Sequence, residues 1–223
     1  VSKKTEFLME AFKLLKDLGD QQLPESLSVE TDQASTSRKK TLFQKADLYT
    51  RILHEWMISL GKNVYELYFT AKPVPAILIT RELVSQAAIF FSFVQSMEKA
   101  MQVKNFAPFE RDLDRLLAGM PSGNEFGREA YIRSCLDQVG EKFSGYREAF
   151  EPLLDCVLPS KKCLTFLESG RNLRDLQPDQ LVAADESSFE LGVRNLVSAL
   201  VILNFSLNKL NAIHPRFLEY CLA

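Results

Sequence analysis

Residues 83–97 read LVSQAAIFFSFVQSM, and residues 195–208 read NLVSALVILNFSLN. Neither stretch contains a proline or a charged residue. In the first, Ala87, Ala88, Ile89, Phe90, Phe91, Phe93 and Val94 place apolar groups on every side of a helix. They neither alternate as in a half-buried strand nor keep to one stripe, so the pattern predicts helices enclosed by other helices. Each uncharged run is shorter than the roughly 20 residues a helix needs to cross a bilayer, so both are read as core and no transmembrane segment is expected. Thr80 and Glu82 are the natural start of the first helix, giving about 80–103. Proline removes a backbone donor, so Pro215 closes the second helix, giving about 186–213.

Working outward, the prolines lie at 24, 73, 75, 108, 121, 152, 159, 178 and 215, leaving 25–72, 76–107 and 179–214 free of them. A many-stranded β fold would need turn residues far more often. Residues 3–18 carry Phe7, Leu8, Ala11, Phe12, Leu14, Leu15 and Leu18 at helical spacing, with Gly19 as a stop. Residues 20–40, DQQLPESLSVETDQASTSRKK, are polar and poor in large apolar groups, which predicts a flexible linker. From Thr41 to about residue 70 a long helix places Leu42, Ala46, Tyr49, Leu53, Trp56, Leu60, Val64 and Leu67 on one stripe, widened by Ile52, Met57 and Tyr68. Residues 74–79 read as an extended connector. A short helix begins at Pro108 and stops at Gly119. A loop covers 119–127. Two or three helices over 128–158 are broken near Gly140, Gly145 and Pro152, and a further helix covers 161–169. The expected fold is all-α: a single domain over 1–223, with about seven or eight helices around two enclosed apolar ones.

Composition limits the chemistry. The chain has 223 residues, 27 Lys+Arg against 29 Asp+Glu, a net charge of −2 and 46% hydrophobic residues. Nucleic-acid binding draws its affinity from a basic excess, which is missing here, so no nucleic-acid partner is expected. Cys135, Cys156, Cys163 and Cys221 form no CxxC pair, which reads as reduced thiols in a cytoplasmic protein. Lys3, Lys4 and Glu6 near the start do not resemble a secretion signal.

Catalytic and metal motifs fail one by one. His54 and His214 have no ligand-spaced partner, and His54-Glu55 is not followed by a second His at position 58. Both are read as surface or half-buried helix residues. Gly119-Met120-Pro121-Ser122-Gly123 lacks the lysine of a phosphate loop and the register of a nucleophile elbow. Ser59/Lys62 and Ser96/Lys99 are at chance frequency, and Glu110/Asp114 alternate with Arg111 and Arg115 as on an exposed face. No catalytic residue, metal or cofactor is expected.

Two features carry the functional expectation. Asn204, Asn208 and Asn211 share a stripe on the last long helix, and Phe217, Leu218 and Tyr220 form an apolar segment beyond Pro215. Together they read as a partner-binding surface of a non-catalytic protein–protein interaction module, an adaptor, regulator or subunit of a larger assembly. The alternative is a carrier or sensor of a hydrophobic small molecule or lipid, held between core helices near Trp56, Phe90 and Phe91. A site assembled from scattered residues such as Tyr49, Arg81 and Glu98 would instead make the protein an enzyme.

Overall fold

The computed structural model describes residues 3–24, 38–70, 72–119, 125–155 and 186–222. They form seven helices and no strand: α1 Lys3–Asp20, α2 Arg38–Phe69, α3 Pro73–Val103, α4 Ala107–Leu117, α5 Glu125–Lys142, α6 Tyr146–Asp155 and α7 Glu186–Leu222. The helix read at 161–169 and most of the linker read at 20–40 lie outside the described residues. At the linker's edges Asp20 closes α1 and Arg38 opens α2.

The fold is the expected all-α bundle around two apolar helices. α3 and α7 make the most extensive contact in the molecule. α1 and α2 pack against α7, α5 lies along α3, α6 touches both core helices, and α4 bridges α2 and α3. α3 buries Leu83, Val84, Ala87, Ala88, Ile89, Phe90, Phe91, Phe93 and Val94, and α7 buries Val193, Leu196, Leu200, Leu203, Leu207 and Leu210. A half-buried ion pair, Lys209 with Glu98, joins the two, and Gln95 accepts a second hydrogen bond from the same ammonium.

Both core helices are longer than the sequence reading allowed. Taken with their flanking polar residues, 75–103 and 189–222 are long and apolar enough to cross a membrane by length and composition. In this fold 72% of the most apolar stretch of the first and 56% of that of the second are buried against protein.

Three boundaries differ from expectation for local reasons. α3 begins at Pro73, so 74–79 is helical rather than an extended connector. The first turn of a helix has unused N–H groups, and proline at its first position loses nothing. Thr80 is therefore inside the helix, and its hydroxyl donates to the Ala76 carbonyl at 2.7 Å. α5 runs from Glu125 through Gly140, and the break falls at Gly145, whose φ of 83° suits glycine. α7 continues through Pro215 to Leu222. The lost hydrogen bond and ring clash cost about 3 kcal/mol in a helix interior. Packing beyond the proline opposes that cost: Phe217 is buried among Phe43, Phe106 and Phe109, and Tyr220 stacks on Phe106 at 4.2 Å. Burying one such ring contributes about 1.5–3 kcal/mol.

Candidate functional site

The inward face of α2 is Leu42, Phe43, Ala46, Thr50, Leu53, His54, Met57, Gly61, Val64 and Tyr68. This face is rotated from the stripe expected from the sequence, because three of its members do not look like core. Thr50 satisfies its own hydroxyl on the Ala46 carbonyl at 2.9 Å. Gly61 leaves room for Leu15 of α1, whose Cδ2 lies 2.6 Å from where a Cβ would stand. His54 is buried against the end of α1, beside Leu18.

The rotation turns other apolar side chains to solvent. Leu48, Ile52 and Trp56, spaced at i, i+4 and i+8 on one face, are 53%, 57% and 40% exposed. A second exposed group lies where α1 meets α2. Phe12 contacts Tyr65 at 5.7 Å and Tyr65 stacks on Phe69 at 6.1 Å, while Met9, Phe12 and Phe69 are all exposed. Scattered apolar residues on a surface are ordinary, but aligned aromatic and branched ones are the material of protein–protein contacts.

Trp56, Phe90 and Phe91 do not share a pocket. Trp56 points outward, Phe90 stacks on Phe93 at 6.1 Å, and Phe91 packs on Phe143 and Phe205 at 6.0 and 6.2 Å. A cavity of about 10 Å³ lies elsewhere, bounded by Leu23, Pro24, Phe43, Thr50, Met97 and His214. That is the room of a single water, whereas small-molecule pockets run to about 300–1,000 Å³.

The asparagine stripe is engaged within the molecule. Gln21, just after α1, donates to Asn208 Oδ1 at 2.6 Å and to Asn204 Oδ1 at 3.5 Å, and Asn208 donates to Asn204 at 3.3 Å. Asn211 is half-buried, and its Oδ1 has no hydrogen-bond partner among the described residues. Phe217 is core, and Leu218 and Tyr220 are half-buried against it. The segment beyond Pro215 is thus the last part of α7, packed on its own bundle.

Both histidines are buried, deeper than the surface or half-buried placement expected. No group of three or more His, Cys, Asp or Glu side chains that could hold a metal occurs among the described residues. Tyr49, Arg81 and Glu98 do not converge. Tyr49 packs on Phe93 at 5.0 Å, and Arg81 and Glu98 are 17 residues apart on α3, about 25 Å along a helix. Glu98 is paired with Lys209. A partly buried polar group is formed by Tyr49, Ser92, Tyr131 and Cys135. Burial pushes the Cys135 thiol and both phenols up, which keeps them neutral and weakly nucleophilic. Cys135 and Cys221 are free and buried, and Cys156 and Cys163 lie outside the described residues.

No protein-family model matches the chain, and no curated protein or solved structure is detectably similar to it.

Proposed function

We propose that this protein is a non-catalytic helical interaction module, an adaptor, regulator or subunit of a larger assembly, working in the cytoplasm and binding another protein rather than nucleic acid. The observation that carries this reading is the exposed Leu48–Ile52–Trp56 stripe on α2. A helix presenting three large apolar groups at i, i+4 and i+8 matches the geometry by which helices dock on protein partners. Tryptophan is also the residue type most enriched among energetic hot spots. This reading puts the partner surface on α2 rather than on the asparagine stripe and the 217–222 segment, where Asn204, Asn208, Phe217 and Tyr220 make contacts within the molecule. The small cavity and the neutral, scattered polar groups support a binding role over a ligand-carrying or catalytic one. Free, buried cysteines fit a reducing compartment.

The chain contains a single tryptophan, Trp56, which makes the stripe its own reporter. In the isolated protein its emission should be solvent-quenchable. On addition of a co-purifying partner it should shift to the blue and become protected from acrylamide. Replacing Ile52 and Trp56 by aspartate should weaken that partner at least about 30-fold, as loss of a hot spot does, with an unchanged helical circular-dichroism spectrum. Undiminished binding by the folded double variant would remove the stripe from the interface.

A further inference from the structure

Both histidines of the chain sit at one seam, where α1 and residues 21–24 strap across α2 and α7. His54 of α2 and His214 of α7 are each 8% exposed. Each buries its Nε2 without a hydrogen-bond partner among the described residues. His54 lies beside the Leu18 backbone, whose carbonyl favours the charged ring by less than burial disfavours it. That carbonyl is one of the four that a helix leaves unused at its C-terminus. Burial favours the neutral ring, whose Nε2 meets no partner among the described residues. His214 lies edge-on to Phe43 at 5.3 Å and borders the small cavity roofed by Leu23 and Pro24. Further polar ties of the strap are at the same seam: Gln21 to Asn204 and Asn208, and Arg51 Nη2 to the Pro24 carbonyl.

We infer that this seam is an acid-released latch: protonation of His54 and His214 frees the strap, residues 3–24, from α2 and α7 while the rest of the bundle stays assembled. In the protonated ring both nitrogens carry N–H, and the Nε2 of each histidine meets no acceptor among the described residues. An unpaired charge in a buried site costs several kcal/mol in general, more than one surface-proximal hydrogen bond returns. The surroundings supply little compensation. Near His54 the charged group is Glu55 of its own helix, and α1 offers the Leu18 carbonyl. His214 faces the Asp47–Arg51 pair of α2, whose two charges oppose each other, while α3 presents Met97 and the strap presents Leu23 and Pro24.

The sign follows from burial. Desolvation holds both imidazoles below their ordinary value, against the smaller opposing pull of Leu18, Glu55 and Asp47. The released, solvated rings take up protons from about pH 6.5, and the docked rings only below that. Docking is therefore unaffected above about pH 6.5, weakens as pH falls through that value, and reaches its full loss below the lowered docked values. Each unit of separation at each histidine shifts the release equilibrium about tenfold. Release uncovers the Gly61 notch and Leu200, where Leu15 sits, so the latch would govern access to a second apolar face.

Amide hydrogen exchange on the full chain, expressed as protection factors at pH 7.5 and pH 5.0, tests this. Protection over residues 3–20 should fall at least about tenfold at pH 5.0 while α3 keeps its protection, and His54→Asn with His214→Gln should abolish the difference. Loss of protection in all helices together, an α1 indifferent to pH, or an unchanged pH response in the double variant would each overturn the latch. Should the double variant not fold, proton resonances of the two imidazoles in the unaltered protein decide the matter. Both titrating below about pH 6.5, in step with α1 release, upholds it. Either titrating while α1 stays protected overturns it.

Discussion

Gly192 shows how much one residue fixes. A Cβ there would stand 2.0 Å from the Tyr68 hydroxyl and 3.1 Å from Ile77, so α7 meets α2 and α3 only because this side chain is absent. Tyr68 fills the notch and lies 3.1 Å from Thr80 Oγ1. Since Thr80 already donates to Ala76, the phenol is the donor. Gly192→Ala should therefore destabilise the protein by about 2–4 kcal/mol despite the better helix propensity of alanine, read as a lowered urea midpoint. Thr80→Val keeps the shape but removes the hydroxyl that faces Tyr68 and should cost about 0.5–1.5 kcal/mol by the same measurement. Neither role was legible in the sequence. Thr80 resembles a helix cap because caps and interior threonines differ only in what lies upstream, and Pro73 makes helix start there. Gly192 in a helix gives no local sign of which ring approaches it.

At the scale of elements, apolar periodicity located the helices, and it misjudged the ends and rotation where packing outweighs local preference. Pro215 looks like a terminator, yet the aromatic group around Phe217 holds the following turns in line. Pro215→Ala should then stabilise the protein by about 1–3 kcal/mol, since it restores a donor to α7 without disturbing Phe217, and thermal melting should show the rise. The rotation of α2 has a similar origin. Thr50 can face inward because its hydroxyl is satisfied within α2, whereas His54 and Gly61 meet a neighbour in another helix, and such pairings across the chain leave no trace in the spacing along it. Ile52 and Trp56, which the apolar spacing assigns to the core stripe, are accordingly exposed, and Leu48 beside them lies outside that stripe altogether.

For the molecule as a whole, the class of fold and the identity of its two central helices were readable, because a long run without charge or proline admits few other solutions. The arrangement of the outer helices was not, since α1 owes its position to Leu15 in the Gly61 notch and to Gln21 on the Asn204–Asn208 pair. Leu15→Ala should cost about 2–4 kcal/mol of α1 docking, seen as exchange of residues 3–20 becoming fast while α3 remains protected. The pairing of α1 with α7 also sets an order of events during synthesis. α1 emerges from the ribosome about two hundred residues before the end of the helix that covers it. At ordinary elongation rates that is a wait of about 10–40 s with an amphipathic helix lacking its partner, an interval in which chaperones or neighbouring nascent chains compete for the same stripe.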